Sequence, residues 1–250
     1  MSIRPTEYAS AGLLGVGTPQ ANPTVEAEML ALRPNGVGLV TARLVCLDDD
    51  PKRRLISYID DLEQTLGRYD SLTLDAFGFA CTGSTYLYGH DQERELVARL
   101  QDRFGYPVVT AAAAIEARLH QLEAKSIALI APYPDWLFQP GVDYWTGRGF
   151  KVQVTGHAQL PSSDLHQIYE LGSHQALEVL ARLKLDGVDA VLFSGTGMPS
   201  LRAIVKAQQD TGRPAVSSNL CLAASLFDTI GLDGAAATAP PAWAARLETL

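Results

Sequence analysis

The amino-acid sequence predicts an α/β fold of two pseudo-symmetric, Rossmann-like lobes, each a mostly parallel sheet flanked by helices. Short apolar runs alternate with longer amphipathic stretches along the 250-residue chain, and this alternation is typical of parallel sheets with helices on both faces. The two halves also share a pattern, because the same number of residues separates Gly17 from Cys81 and Ala131 from Gly195. We therefore expect two duplicated lobes with the active site in the cleft between them, at the carboxyl ends of the strands.

The strands are predicted from short apolar runs that end in glycine, proline or small polar residues. In chain order they cover residues 12–16, 37–44, 74–80, 107–109, 126–131, 150–155, 190–194 and 215–217. Amphipathic stretches predict helices over residues 52–66, 91–104, 113–122, 165–183 and 201–209, and another helix follows Ser218. Asp50 and Pro51 form a favourable helix start, since the carboxylate can cap the first turn and proline fits the first helical position. We assign residues 1–112 and 218–250 to the first lobe and residues 113–217 to the second.

The composition limits the classes of partner. The formal net charge is −8 and no stretch is rich in lysine or arginine, which argues against nucleic acid and against an anionic membrane. No apolar run approaches the ~18 residues of a membrane span. The first residues also lack the apolar core of a signal peptide. We therefore expect a cytoplasmic protein that binds neither a membrane nor nucleic acid.

The sequence gives no sign of a metal site or of a nucleotide cofactor. The three cysteines, Cys46, Cys81 and Cys221, stand at unrelated spacings that fit neither a disulfide framework nor a zinc site. The histidines lack ligand spacing, and neither a G-x-G-x-x-G motif nor a phosphate-binding loop is present. We expect no metal and no cofactor.

The most informative residue is Cys81, because an apolar run ends in its thiol and small hydroxyl residues and glycine follow it. Backbone N–H groups converge at such a point, so a thiolate can be stabilised and an anionic ligand can be held. Thr82, Gly83 and Ser84 then offer hydroxyl and backbone donors. The alternative interpretation is a small core residue at a strand end, since free cysteine is among the most buried residue types.

The corresponding loop of the second half, Ser194-Gly195-Thr196-Gly197, carries glycine where the first loop carries the thiol. A racemase would suit two acid–base groups on opposite faces of one carbon, but Gly195 transfers no proton and Thr196 is a poor base without an activating neighbour. A lone thiol leaves two reactions open. It can add to an activated alkene, allow rotation and leave, or it can protonate an enediolate that decarboxylation produces. Both reactions pass through a carboxylate-derived dianion, which needs fixed hydrogen-bond donors.

Four segments carry a resemblance to a known family. They are Asn22-Pro23-Thr24-Val25-Glu26-Ala27-Glu28, Gly78-Phe79-Ala80-Cys81, the run 127–133 that ends in Tyr133, and Met198-Pro199-Ser200-Leu201. In these segments the chain resembles the aspartate/glutamate racemase superfamily, in its branch that holds maleate cis–trans isomerase and arylmalonate decarboxylase. Two departures stand out. Gly195 replaces the second cysteine of the isomerase, and Thr82-Gly83-Ser84 is more similar to the small hydroxyl loop of the decarboxylase, which keeps its single thiol on the other loop.

The resemblance implies roles for individual residues. Cys81 would be nucleophile or proton donor, and Asn22 and Tyr133 would hold one substrate carboxylate. The other carboxylate would lie among Thr82, Gly83, Ser194 and Thr196. The predicted substrate-binding residues are, in full, Asn22, Thr82, Gly83, Ser84, Tyr133, Ser194, Gly195, Thr196 and Gly197. Ser163 and Asp164 fall where the isomerase has another carboxylate-binding residue, or they cap the following helix. Asn22 can alternatively be a turn residue before Pro23, and Tyr133 a packing aromatic.

Three functions follow as hypotheses. The first is a cofactor-independent isomerase of the maleate type, in which Cys81 adds to a small unsaturated dicarboxylate. The second is a cofactor-independent malonate decarboxylase with Cys81 as stereospecific proton donor, which the mirrored arrangement of the thiol predicts to give the opposite product enantiomer. The third is a carboxylate-binding protein without catalysis. In each case the resemblance implies a small mono- or dicarboxylate ligand and a homodimer.

Overall fold

The computed structural model describes residues 7–158 and 165–248, and it contains two four-stranded sheets. The first holds β1 (Gly12–Pro19), β2 (Val37–Leu44), β3 (Ala76–Phe79) and β4 (Val108–Thr110), in the order β2-β1-β3-β4. The second holds β5 (Ser126–Ala131), β6 (Lys151–His157), β7 (Ala190–Phe193) and β8 (Ala215–Ser217), in the order β6-β5-β7-β8. All neighbouring strands are parallel. The shared order confirms the predicted α/β fold with two pseudo-symmetric lobes.

The central strands are continuous apolar runs because both of their faces are covered. Every residue of β1, β3, β5 and β7 is buried, as expected for the inner strands of a parallel sheet between helices. The edge strand β6 instead alternates between exposed and less exposed residues from Lys151 onward. Burial on two faces therefore explains why short apolar runs were sufficient to predict the strands.

The helices flank the two sheets. They are α1 (Thr24–Leu32), α2 (Pro51–Asp60), α3 (Leu62–Gly67), α4 (Thr82–Tyr88), α5 (His90–Phe104), α6 (Ala111–Gln121), α7 (Asp135–Gly147), α8 (Ser173–Leu180), α9 (Leu201–Thr211), α10 (Ser218–Thr229), α11 (Gly234–Ala237) and α12 (Pro240–Leu247), with a 3₁₀ helix over Leu165–Glu170. Within residues 7–158 and 165–248, every helix is too short or too polar to cross a lipid bilayer.

Two predicted helices are wrong in extent. The predicted helix 165–183 is a 3₁₀ helix followed by α8, because the chain is extended at Gly172, whose N–H donates to Gln175 Oε1 at 2.7 Å. The predicted helix 52–66 is two helices, α2 and α3, that meet at Asp61. Five helices, α1, α4, α7, α11 and α12, are absent from the predicted set. The first three begin one or two residues after Asn22, Cys81 and Tyr133, which the sequence marked as functional.

The order of the strands determines where the loops meet. In each sheet the chain moves outward in opposite directions from two central strands, β1 and β3 in the first and β5 and β7 in the second. Ligands bind at the carboxyl ends of strands at such switch points. Asn22 follows β1, Cys81 follows β3, Tyr133 follows β5 and Gly195 follows β7. The topology therefore brings the four predicted segments to the two switch points.

Helix α10 connects the lobes through the core. It packs against α1 and β3 of the first lobe, and also against α6 and β8, which the predicted division places almost wholly in the second. One apolar cluster includes side chains from both sheets, among them Val16 and Leu129. Helix α10 thus contacts both lobes, and the lobe boundaries stay a prediction.

Candidate functional site

A cavity of about 70 Å³ lies at the carboxyl ends of the strands, with the Cys81 thiol in its wall. Seven of the residues that the sequence singled out line it, namely Asn22, Cys81, Thr82, Gly83, Tyr133, Thr196 and Gly197. Three others, Ser84, Ser194 and Gly195, lie beside or behind the lining and are not part of it in the described structure. The cavity therefore receives residues from both loops, as the predicted cleft between lobes requires.

Cys81 lies between β3 and α4, in the N-cap position of the helix. Only 4% of its surface is exposed. The Ser84 hydroxyl donates to Cys81 Sγ at 3.1 Å. Burial raises the pKa of the Cys81 thiol above its ordinary value, while hydrogen bonds from Ser84 and from the backbone N–H of Gly83 act in the opposite direction. Because burial is the larger effect, the free protein holds a protonated thiol at neutral pH, with donors already in place to stabilise the thiolate.

Replacing Ser84 by alanine is expected to slow alkylation of Cys81 by iodoacetamide at a fixed pH. The thiolate is the reactive form, and removal of the Ser84 donor takes away a hydrogen bond that lowers the pKa of the thiol. The pH profile of alkylation should therefore move to higher pH than in the unsubstituted protein. Peptide mass spectrometry separates Cys81 from Cys46 and Cys221, which serve as internal references. An unchanged Cys81 profile would show that the Ser84 hydrogen bond does not act on the thiolate.

Tyr133 and Thr82 join the two lobes across the cavity. The Tyr133 hydroxyl and Thr82 Oγ1 are 2.9 Å apart and share a hydrogen bond. Burial, and second the neighbouring Tyr86, raise the pKa of Tyr133 well above its ordinary value. Tyr133 is therefore a neutral phenol that can donate a proton in a hydrogen bond. Its ring also meets Tyr86 edge to face at 6.2 Å. The ring of Tyr133 is therefore the packing end of the side chain, and the hydroxyl is the end that a ligand would contact.

Asn22 has two functions in the structure. Its Oδ1 accepts hydrogen bonds from the backbone N–H of Thr24 at 2.9 Å and of Val25 at 3.3 Å, which caps the start of α1. Its Nδ2 donates to Thr196 Oγ1 at 3.4 Å, and that hydroxyl donates to the carbonyl oxygen of Ala80 at 2.9 Å. The capping bonds orient the amide, so its N–H donors are presented to the cavity.

Two further polar residues of the 22–28 segment, Thr24 and Glu28, anchor the second loop and the residues that follow it. Thr24 Oγ1 donates to the Gly197 carbonyl at 2.9 Å. The buried Glu28 carboxylate accepts hydrogen bonds from the N–H of Ser200 at 2.6 Å and from Asn219 Nδ2 at 2.8 Å. Asn219 Nδ2 also donates to the Thr196 carbonyl at 3.0 Å. The segment that resembles the isomerase thus contributes one cavity residue, Asn22, and a scaffold for the opposite loop.

Gly195 stands where a second thiol would complete a two-base site, and its backbone requires glycine. Its φ is +118°, a conformation that L-residues rarely adopt. A Cβ at this position would lie 3.2 Å from the Tyr133 hydroxyl and 3.2 Å from Pro132 Cδ. The Gly195 N–H is already bonded to Ser218 Oγ at 3.0 Å. The Tyr133 hydroxyl therefore occupies the space in front of this loop, and of the two loops only the first carries a thiol.

Ser194 belongs to a buried network behind the cavity. Its hydroxyl lies 2.7 Å from the Tyr86 hydroxyl, to which Trp145 Nε1 donates at 2.9 Å. All three side chains are buried. Tyr86 of the first lobe and Trp145 of the second therefore meet at the lobe interface behind the loops. A direct substrate contact of Ser194 stays a prediction.

Sequence reasoning missed four polar residues that line the cavity. Arg54 and Tyr58 come from successive turns of α2, and His166 and Tyr169 come from the 3₁₀ helix. The spacing of Arg54 and Tyr58 indicates one helix face, but nothing in the sequence says that this face meets the cavity. Ser163 and Asp164 lie outside the described residues. Among the described residues, no group of three or more His, Cys, Asp or Glu side chains could hold a metal ion.

Comparison with known proteins places this site in a family. The sequence model of the arylmalonate decarboxylase family matches residues 14–241. A maleate isomerase of Pseudomonas putida is 26% identical over 236 residues, which cover 88% of this chain and 92% of the relative. The crystal structure of the maleate isomerase Iso from Pseudomonas putida S16 superposes with a TM-score of 0.79 at 25% identity, over 88% of this chain and 93% of that one.

A third similar structure is a cysteine-to-serine mutant of the maleate cis–trans isomerase of Nocardia farcinica, which carries a covalently bound succinylcysteine intermediate. Its TM-score is 0.77 at 22% identity, over 88% of this chain and 93% of that one. At this identity the similarity shows the fold alone. The family match, however, covers nearly the whole chain and includes both loops of the cavity. The chain therefore belongs to the arylmalonate decarboxylase family, in the branch of the aspartate/glutamate racemase superfamily that its sequence resembles.

Proposed function

We propose that this protein is a cofactor-independent cis–trans isomerase of the maleate type, which acts on a small unsaturated dicarboxylate through Cys81. The observation that carries the proposal is one buried thiol in the wall of a small cavity, together with glycine at the position of the second loop where a second thiol would stand. The curated relatives support it, since the Pseudomonas putida protein is a maleate isomerase. The succinylcysteine in the Nocardia farcinica enzyme supports covalent chemistry between a cysteine and a four-carbon diacid on this fold.

The reaction needs only one thiol. Cys81 gives its proton to solvent, and the sulfur attacks one alkene carbon, so that a C–S bond forms while the alkene electron pair moves into the neighbouring carboxylate as an enediolate. The former double bond is now single and rotates. The electron pair then returns, the C–S bond breaks, and the trans diacid and the thiolate are released. This route needs no second thiol, so glycine at position 195 is compatible with turnover.

The cavity donors have distinct tasks in this reaction. The Ser84 hydroxyl and the backbone N–H of Gly83 stabilise the thiolate that attacks and later leaves. Tyr133 and Asn22 offer a phenol and an amide donor for the substrate carboxylate that takes up the enediolate charge. Fixed donors of this kind stabilise developing charge without rearranging. This electrostatic stabilisation is usually the largest contribution that such a site makes to the rate.

A decarboxylase that uses Cys81 as proton donor is the second candidate. The raised pKa of the thiol favours it, because a protonated thiol is the form that donates. The curated relatives favour the isomerase instead, since the matched proteins of Pseudomonas putida and Alcaligenes faecalis are maleate isomerases.

The test is incubation of the purified protein with maleate and, separately, with phenylmalonate. Conversion of maleate to fumarate supports the proposal. Carbon dioxide from phenylmalonate without conversion of maleate overturns it in favour of the decarboxylase, and chiral analysis with a methyl-substituted aryl malonate then tests the predicted opposite enantiomer. Binding of both acids without turnover overturns it in favour of the carboxylate-binding protein.

The pH dependence separates the two chemistries. The isomerase requires the thiolate, so kcat/KM for maleate should rise by about tenfold per pH unit from about pH 7 to about pH 9. The sign follows from the pKa of Cys81, which lies above its ordinary value of 9.0. A reaction that draws on the thiol proton would stay level over the same range and fall only at higher pH, where the thiol ionises. A flat or falling profile for maleate would therefore contradict attack by the Cys81 thiolate.

We also propose a cytoplasmic homodimer whose subunit has the lobe division 1–112 plus 218–250 and 113–217. The family resemblance supports the dimer, and the packing of α10 on α1 and β3 supports the division. Light scattering of the purified protein measures the oligomeric state directly.

A further inference from the structure

Two contacts fix Arg54 in place at the cavity. One is with Asp48, nearby in the sequence, and the other is with His166, which is 112 residues away. Arg54 Nε and Nη2 donate to the carbonyl oxygen of Asp48 at 3.0 and 2.8 Å, and its Nη1 lies 2.9 Å from His166 Nε2. Since a guanidinium only donates, the His166 nitrogen is the acceptor in this contact. A guanidinium carries more N–H donors than these three contacts use, so it can still bind a ligand.

The charge of Arg54 stands out in its surroundings. Among the described residues that line the cavity, it is the only one with a permanent charge, and no carboxylate lines the cavity. Within the described part of the chain, Arg54 forms no ion pair with an aspartate or glutamate. Half-buried cations usually have an anionic partner. The net charge of the chain is −8. Arg54 lines the same cavity as the thiol and has no carboxylate partner among the described residues, so its geometry indicates that the anionic partner is a ligand.

Arg54 and Cys81 act on the same two phenols. Burial is the main cause that raises the pKa of Tyr58 to about 12 and also raises that of Tyr169, and proximity to Cys81 raises both further. The positive charge of Arg54 lowers both. The guanidinium and the sulfur are thus close enough to influence one pair of side chains. A ligand that spans from the donors around Tyr133 towards Arg54 would pass the thiol.

Resting on the proposed function, we infer that Arg54 is the specificity-determining residue of this site and receives the second carboxylate of an aliphatic dicarboxylate. The first carboxylate lies among the neutral donors Asn22, Thr82 and Tyr133. The planar fork of the guanidinium matches a carboxylate and binds it by charge-assisted hydrogen bonds. A monocarboxylate of the same length leaves Arg54 without a partner. Arg54 therefore selects diacids over monoacids, independently of the chemistry at the thiol.

The experiment measures binding of succinate and butyrate by calorimetry. Both are saturated four-carbon acids, so neither can accept the Cys81 sulfur, and they differ by one carboxylate. The unsubstituted protein should bind succinate at least about tenfold more tightly than butyrate, the worth of one charge-assisted hydrogen-bond pair. Arg54→Gln should remove this preference and leave butyrate affinity unchanged. Arg54→Lys keeps the charge without the fork and should retain part of it.

Arg53→Gln is the matched control, because Arg53 is the adjacent residue of α2, its side chain is 75% exposed and it does not line the cavity. It should bind both acids as the unsubstituted protein does.

An Arg54→Gln protein that still prefers succinate, or one that loses succinate and butyrate equally, would overturn the assignment. Failure to isomerise maleate with an intact Arg54-dependent succinate preference rejects the proposed function alone. Isomerisation with an unchanged KM in Arg54→Gln rejects the role of Arg54 alone.

Discussion

Replacing Cys81 by alanine is expected to abolish conversion of maleate, lowering kcat by at least about a thousandfold, the scale on which enzymes lose rate with their nucleophile. The fold should persist. The thiol is a small buried group that packs in an apolar cluster and accepts a hydrogen bond from the hydroxyl of Ser84, so its loss leaves a small cavity and costs about 1 kcal/mol of unfolding free energy. Fumarate formation measures the first effect, and chemical denaturation measures the second.

The chain supplies two matched controls. Cys221 is as deeply buried as Cys81, and burial raises its pKa to about 12, but it lies in α10 and does not line the cavity. Cys46 is partly exposed and also lies outside the lining. Alanine at either position should leave kcat within about twofold of the starting value. Turnover that survives in Cys81→Ala, or that disappears in Cys46→Ala, would move the chemistry away from Cys81.

The meeting of the two loops was predictable because topology alone produces it. The strands are short apolar runs whose number and order could be inferred from the sequence, and in parallel sheets their carboxyl ends share one edge. Cys81 and Gly195 follow β3 and β7, the equivalent strands of the two sheets. The equivalent positions of Cys81 and Gly195 in the two halves of the sequence were therefore enough to predict that they face one cleft, and no knowledge of side-chain packing was needed.

The cationic part of the cavity was not predictable in the same way. Arg54 and His166 are 112 residues apart in the sequence, and each lies on an element whose orientation depends on tertiary packing. The predicted continuous helix over residues 165–183 is a 3₁₀ helix, which brings His166 to the cavity, followed after the extended Gly172 by α8. The conformation of Gly195 was hidden for a similar reason, since glycine in a sequence does not reveal a positive φ.

Replacing Glu28 by alanine is expected to destabilise the protein by about 3–5 kcal/mol. The Glu28 carboxylate is buried and accepts hydrogen bonds from the N–H of Ser200 and Leu201 at the start of α9 and from Asn219 Nδ2. Its removal takes the acceptor away from the buried N–H groups of Ser200 and Leu201 and from the Ser200 hydroxyl. It also frees one side of Asn219, which holds the Thr196 carbonyl in the cavity wall. Denaturant unfolding measures the loss, and a rise in KM for maleate should accompany it.

Glu26→Ala is the control for that loss. Glu26 lies in the same helix, but its side chain is 35% exposed and pairs with Arg43. Ion pairs of this kind contribute about 0–1 kcal/mol, so the substitution should cost far less than Glu28→Ala. Equal costs for the two substitutions would show that the 22–28 segment tolerates changes uniformly and that Glu28 does not anchor the second loop.

Glu28→Gln tests the same carboxylate through pH. Burial raises the pKa of Glu28 above its ordinary value of 4.5, although the hydrogen bonds from Ser200, Asn219 and Leu201 lower it. A carboxyl group with a raised pKa in the folded state stabilises most at low pH, and this stability is lost as the pH rises from 4.5 through the folded-state pKa. The unfolding free energy of the unsubstituted protein minus that of Glu28→Gln should therefore fall over this range. A difference that rises with pH would mean that the hydrogen bonds outweigh burial, and that Glu28 holds the second loop as a stabilised anion.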